Sequence, residues 1–366
     1  MTTRRNFLKN TTMLAAGLGV SPLLSSSPLR SYQKEEVING KVRIAVIGVG
    51  MGCRDLQGAL TDNPWVHCVG MCDVNKVRLE EQLARFKKDF PEQTVSIKAY
   101  TDFREVLANK EIDGVIIATP DHWHPYIFAE ALKAGKAIYV EKPVGNSISE
   151  CNAMMDFQKK YKGVVTTGLW QTSQRYFRAA NEILKSGVLG DVYKVQLWLC
   201  QSTNPRPSVE DSEAPSTLDY DMWLGPAPER PFNNSRFRGW RGFWDYGGGQ
   251  QTDWGVHWID SAFDGLKALG LCDREYPDAV FSTAYKDPAS FNETPSCQTS
   301  IFQYKNFHIE WAQQVAYLYN RNQGVAWVGS KATLVCNREG YELIPEKTRD
   351  GILLADSCLL YTSDAA

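Results

Sequence analysis

One stretch constrains this chain more than any other: KVRIAVIGVGMG, residues 41 to 52. From Val42 to Ile47 it is apolar and rich in β-branched side chains, the composition of a buried strand. It then breaks into Gly48, Gly50 and Gly52 ahead of an amphipathic stretch that runs to Leu60. A strand that turns through glycines into a helix aims the helix's unpaired N–H groups at whatever approaches the turn, which makes an anion site. Gly48 permits the tight turn, and Gly50 lets the backbone come close to a pyrophosphate. The third fingerprint position, by strict spacing, is Cys53 rather than Gly or Ala, with Gly52 beside it to relieve the same close packing. A second strand, WVHCVGMCDVN, carries Asp73 near its end. An acid there accepts a bond from a ribose 2′-hydroxyl and repels a 2′-phosphate. No arginine immediately follows it, so NAD is expected rather than NADP. This reading selects Gly48, Gly50, Met51, Gly52 and Asp73 as cofactor residues.

The following segments keep the same rhythm. KVRLEEQLARFKKDF has helical periodicity, DGVIIATP is a strong strand, HPYIFAEALKAG is a helix closed by Gly135, and KAIYVEKP is another strand. Strands alternating with helices imply parallel pairing through right-handed crossovers. In the second half, DVYKVQLWL, SCQTSIFQY, FHIEWAQQ and GVAWVGSKATLVC read as strands. Two domains are expected from a folded length of roughly 320 residues. The formal net charge of -2 argues against a nucleic-acid or anionic-membrane partner. The nine cysteines are scattered without a CxxC, and Cys53, Cys68 and Cys72 lie in or beside strands, so free thiols acting as small apolar residues are expected.

The second informative stretch is GGGQQTDWGVHWID, residues 247 to 260. Asp253, His257 and Asp260 recur at spacings of four and three, on one face of a helix whose other positions are largely apolar. A D-x-x-x-H pair can hold a metal, but no third ligand motif stands near it, and no metal is expected. Nine of the eleven tryptophans fall at or after Trp170. Trp170 and Trp254 could offer flat faces to a sugar ring, with Gln171, Arg175 and Arg241 as candidate hydroxyl ligands; packing of a large sheet is the competing role for each tryptophan. The Pro-, Ser- and acid-rich run from Ser202 to Phe232 reads as a long surface loop, a lid or an oligomer arm.

Four motifs, GVGMG, ATPDHWH, EKP and GGGQQTDWGVHWID, occur here in the order and spacing of the Gfo/Idh/MocA oxidoreductases, and the chain resembles that family from about residue 42 to about residue 330. The resemblance implies an α/β protein: an N-terminal Rossmann domain, then a C-terminal α/β domain with a large, mostly antiparallel open sheet. It places Lys142, Asp253 and His257 at the reacting carbinol as the catalytic set. It adds Thr119, Pro120, His122, His124, Glu141 and Lys142 to the cofactor crevice, and it implies a homo-oligomer. Such a set suits alcohol oxidation, where a neutral imidazole can take the O–H proton and an ammonium can steady the developing alkoxide; the sequence leaves either His257 or Lys142 as the base. The expected activity is NAD-dependent oxidation or reduction of a secondary hydroxyl or carbonyl of a sugar, glycoside or cyclitol. A glycosidase working through transient C3 oxidation and elimination is the alternative, and a non-enzymatic sugar or nucleotide sensor is a third reading.

The ends carry other signals. Arg4 and Arg5 in TRRNFLK precede a short apolar stretch, the pattern of a twin-arginine export signal, which implies a periplasmic protein with no membrane anchor. Export in the folded state further implies an NAD that stays tightly bound. CLLYTSDAA, residues 358 to 366, resembles a translated sequencing adapter. The expected organisation is a signal and linker over 1–35, the NAD-binding domain over 41–165, the substrate and oligomerisation domain over 166–357, and the adapter-like tail.

Overall fold

A computed structural model describes residues 41–50, 63, 65–91, 96–200, 206–271, 276–313 and 318–355. The export motif, Met51, Gly52, Cys53 and the terminal tail lie outside these residues. The chain divides into two compact units.

The first unit holds a six-stranded parallel sheet. Its strands are β1 (Val42–Ile47), β2 (Val66–Cys72), β3 (Lys98–Tyr100), β4 (Gly114–Ile117), β5 (Ala137–Val140) and β6 (Val165–Thr167). Their order is β3-β2-β1-β4-β5-β6, and every neighbouring pair is parallel. Strands buried on both faces need no polar side, which is why β4 reads as an unbroken apolar run. One face packs Ala45, Ile47, Val115, Ile117 and Val140 with Ile127, Phe128, Leu132 and Met154. These last four come from α3 (His124–Lys133) and α4 (Ile148–Tyr161). The other face packs Val46, Met71 and Ile116 with Leu79 and Phe86 of α1 (Lys76–Asp89). A shorter helix, α2 (Phe103–Ala108), follows β3. Helix starts are capped by side chains: Asn75 accepts from Arg78 N at α1, and Ser147 with Glu150 forms a capping box at α4.

The first unit also includes Glu210–Trp240 and Asp245–Gly247. Lys76 N donates to the Thr217 carbonyl at 2.9 Å and Asp219 N to that of Val74 at 3.0 Å, so this segment is tied to the start of α1. It carries short helices at Tyr220–Leu224 and Asn234–Arg238. The expected single boundary between residues 165 and 166 is thus replaced by an interleaved division, and most of the Pro- and Ser-rich run is ordered structure of the first unit.

The second unit is built on a seven-stranded sheet of β7 (Val192–Leu199), β8 (Ala279–Tyr285), β9 (Cys297–Gln303), β10 (His308–Gln313), β11 (Gln323–Gly329), β12 (Ala332–Asn337) and β13 (Gly340–Pro345). The order is β13-β12-β11-β7-β10-β9-β8. Only the central β7–β10 pair is parallel; the other five pairs are antiparallel. GVAWVGSKATLVC, read as strand, is two strands: the chain breaks at Ser330–Lys331 and returns as β12 against β11. One face is covered by α5 (Arg175–Lys185) and α6 (Val256–Ala268), which set Phe177, Leu184, Trp258, Ala262 and Leu266 against Val195, Leu197, Trp311, Val325, Trp327 and Leu334. The sheet stays open at its β8 edge, where all seven residues are exposed, Val280, Phe281 and Tyr285 among them. Among the described residues no helix is long and apolar enough to cross a membrane.

Candidate cofactor and substrate sites

In a parallel sheet whose order reverses, ligands bind at the carboxyl ends of the strands beside the reversal. Here the reversal falls between β1 and β4, since the chain runs outward from β1 to β2 and β3 and then crosses back to β4. The residues at those ends are Gly48, Ala118–Thr119 and, one strand out on each side, Asp73 and Glu141–Lys142. Gly48 has φ +87°, and a Cβ on it would stand 2.6 Å from the Ala118 oxygen and from Thr119 N, so only glycine closes the turn this tightly. Asp73 accepts from Val49 N at 3.0 Å through Oδ2 and from Asn75 N at 2.9 Å through Oδ1, which fixes the carboxylate beside the glycine turn. Burial pushes its pKa up, while the two N–H groups and Arg78 pull it back. Thr119 Oγ1 is buried without a hydrogen-bond partner among the described residues. A glycine cradle, an acid held at the end of β2 and an unpartnered hydroxyl at the end of β4 fit a dinucleotide.

The other expected cofactor residues shape the crevice walls. Pro120 opens a tight turn, Trp123 N donating to its carbonyl at 3.1 Å. His122 Nε2 and Trp123 Nε1 each lie 3.0 Å from the Trp223 carbonyl. Burial pulls the His122 pKa down to about 4, partly opposed by its bond to that carbonyl, so its ring is neutral near pH 7. His124 Nδ1 faces the Pro143 carbonyl at 2.7 Å and its Nε2 the Thr119 carbonyl at 2.9 Å, so this one ring ties the TPDHWH turn to the EKP turn. Glu141 accepts from Tyr139 Oη at 3.1 Å and from Lys142 N at 3.2 Å, which steadies the backbone that carries Lys142. Lys142 itself is half-buried.

In the second unit, the three glycines introduce a π-helical turn, Gln251–Gly255, that runs directly into α6. Gly249 has φ +69°, and a Cβ there would press to 2.8 Å from Thr294. Asp253 and Trp254 stand in this wide turn and His257 at the top of α6; π-turns of this kind are often found at functional sites. The sequence spacing had implied a regular helix through all three residues. Arg241 Nε pairs with Asp253 Oδ1 at 3.0 Å. His257 is buried, its ring edge-on to Trp170 with centroids 5.9 Å apart, and Trp170 is 43% exposed. Gln171, expected to meet substrate hydroxyls, is instead 0% exposed. Its Nε2 donates to the His257 carbonyl at 3.3 Å and to Ser261 Oγ at 2.9 Å, so it sets the position of α6. Arg175 is exposed and stacks 4.5 Å over Tyr176. Asp260 is partly buried, and burial together with nearby Asp264 pushes its pKa up to about 6.

Sequence reading missed Arg338, in the turn between β12 and β13. Its guanidinium carbon lies 4.8 Å from the ring centres of Trp170 and Trp254 and 5.9 Å from that of Trp258, and its Nε donates to Gln171 Oε1 at 2.9 Å. No local pattern in CNREG marks it. The tryptophans divide cleanly: Trp198, Trp258, Trp311 and Trp327 are core, while Trp170 and Trp254 reach the surface. Among the described residues no group of three His, Cys, Asp or Glu side chains could hold a metal ion.

Comparison with known proteins agrees with this layout. Residues 42–169 match the model of the oxidoreductase family's NAD-binding Rossmann fold, and residues 178–268 match the same family's C-terminal alpha/beta domain. The chain belongs to the Gfo/Idh/MocA oxidoreductase family, and its first unit carries that family's NAD-binding domain. It is 33% identical over 163 residues to an alpha-N-acetylgalactosaminidase of Tannerella forsythia, a match covering 41% of this chain and 34% of that protein. It is 24% identical over 151 residues to the inositol 2-dehydrogenase of Salmonella typhimurium, covering 41% and 43%. The chain thus spans less than half the length of these curated relatives. The WlbA dehydrogenase of Chromobacterium violaceum, solved with NADH and UDP-GlcNAcA, shares the fold at a TM-score of 0.61 and 19% identity, over 81% of this chain and 74% of that one.

Proposed function

We propose that this chain is an NAD-dependent oxidoreductase acting on a secondary hydroxyl, or the matching carbonyl, of a sugar, glycoside or cyclitol. The observation that carries the reading is the setting of His257: a buried imidazole in the first turn of α6, directly after the π-turn, its backbone held by Gln171 and its ring edge-on to a partly exposed tryptophan. Bound on the first unit, NAD supplies the hydride acceptor or donor. His257 takes the hydroxyl proton as the C–H bond breaks, and returns it in the reverse direction. The Lys142 ammonium steadies the negative charge that develops on the oxygen. Asp253, fixed by Arg241, orients the substrate hydroxyl. The exposed Trp170 face packs on the apolar side of the ring. Purified protein given NAD and a panel of sugars, cyclitols and 3-keto-sugars should form or consume NADH with at least one of them, and a complete lack of response across the panel would refute the assignment.

A second reading is favoured by the 33% identity to an alpha-N-acetylgalactosaminidase. The same residues then serve a net hydrolysis in which oxidation at C3 is transient and elimination follows. Aryl glycosides separate the two: phenol released with no net NADH indicates the glycosidase, and net NADH without phenol indicates the dehydrogenase. Arg4 and Arg5 support periplasmic delivery by the twin-arginine route; replacing both with lysine should leave the protein in the cytoplasm.

A further inference from the structure

We propose that the substrate is an acidic sugar and that its carboxylate is received by Arg338. The inference rests on reading the second unit as the sugar-binding half. The Arg338 guanidinium is stacked among Trp170, Trp254 and Trp258, and Gln171 Oε1 takes its Nε proton. Among the described residues neither Nη1 nor Nη2 has a hydrogen-bond or ion-pair partner. Ring stacking compensates part of the cost of drawing a cation out of water, and the four Nη N–H donors, which are not among the buried unpartnered atoms, are open to a ligand from solvent.

The geometry selects the acceptor. With indole rings near its faces and Nε engaged, the guanidinium is left with its Nη1/Nη2 edge. That edge presents two parallel N–H bonds, which match the two oxygens of a flat carboxylate. The local charge agrees. Asp253, the one carboxylate that raises the Arg338 pKa, is paired with Arg241 Nε at 3.0 Å, so Arg338 shares its counter-ion with a second cation. Burial draws the Arg338 pKa down and Asp253 holds it up, as expected of a cation whose own counter-ion is incomplete. Trp170, which stacks with Arg338, also meets the His257 ring, so a ring lying on Trp170 with its carboxylate at Arg338 would stand beside the proposed base.

A purely structural role for Arg338 makes a different prediction: pinning three tryptophans would support neutral and acidic sugars alike. The test is a titration of tryptophan fluorescence in NAD-loaded protein with matched pairs of methyl glycosides and methyl uronosides of gluco, galacto and manno configuration. Glucose 1-phosphate serves as a tetrahedral anion. At least one uronoside should bind about ten- to a hundredfold tighter than its neutral partner, the range of a charge-assisted bidentate pair. Arg338→Met should erase that difference by weakening the uronoside far more than the neutral glycoside, while the lost bond to Gln171 Oε1 is read separately as a lower urea midpoint. Arg338→Lys, which keeps the charge and loses the fork, should retain only part of it. Equal affinity within every pair, or a loss with Arg338→Met that falls equally on both members, overturns the proposal. Tighter binding of glucose 1-phosphate than of every uronoside overturns it too, in favour of a phosphate. If neutral sugars bind and are oxidised while uronosides gain nothing, only this inference falls. If no sugar of either kind binds, the oxidoreductase reading falls with it.

Discussion

Gln171 serves the second unit much as Asp73 serves the first: each is a buried polar side chain whose bonds hold backbone beside the chemistry. The proposed chemistry falls to His257 and Lys142. His257→Ala and Lys142→Met are each expected to lower turnover by about 10²- to 10⁴-fold, the usual contribution of acid–base and charge assistance, with NAD affinity nearly unchanged. Steady-state rates with NAD titrations on both variants check this, and wild-type rates in both would remove them from the site. Asp73→Ala is expected to relax discrimination against NADP. Arg78 is close enough to influence Asp73, and its guanidinium lies 3.6 Å from where a Gly50 Cβ would stand, so a 2′-phosphate would find a cation once the acid is gone. Unchanged Kd values for the two nucleotides would refute the ribose role. At this scale the sequence exposed most of the candidate side chains, because their residue types are what the chemistry requires. It did not expose Arg338 or the inward turn of Gln171. Both depend on which strand turn and which helix happen to meet, and neither leaves a periodic trace in the chain.

Among the elements, the π-turn and α6 carry the candidate substrate residues of the second unit, and α6 also holds an electrostatic liability. The Asp260 carboxyl has a pKa of about 6 in the fold against 3.8 in a model peptide, from burial first and Asp264 second. The folded chain therefore holds a proton there between those values that the unfolded chain releases. Stability from this group is complete below about pH 4 and is lost as pH rises through about 6. Asp260→Asn is expected to raise Tm at pH 8 by about 1–3 °C, since water screens much of the effect at a partly exposed group, and to leave Tm unchanged near pH 4. A thermal melt at both pH values checks the sign. The long strands and helices were legible because burial writes a period of two, or of 3.6, or a continuous apolar run. The short strands β3 and β6 have three residues each, too few for a period to show. β8 is exposed along its whole length, so no burial alternation is written into it. The return of Glu210–Trp240 to the first unit is tertiary: its bonds to Val74 and Lys76 span more than a hundred residues and obey no local rule.

For the whole molecule, the family assignment and the proposed twin-arginine export bear together on how the cofactor is used. A chain exported folded can carry NAD with it, and outside the inner membrane an exchanging nucleotide would be diluted away. NAD(H) is therefore expected to stay in place as a prosthetic group. Protein purified without added nucleotide should release close to one NAD(H) per chain on denaturation, and nucleotide-free protein would contradict this. The account as a whole turns on hydride transfer assisted by His257. The measurement that tests it most directly is a single turnover of NAD-loaded protein mixed with neutral and acidic sugars, followed by nicotinamide absorbance. The wild type should show a burst of reduced nicotinamide with at least one sugar, and His257→Ala, carrying the same NAD, should be slower by about a hundredfold or more. Stoichiometric NAD that no sugar reduces, or a His257→Ala burst as fast as the wild type's, would contradict it.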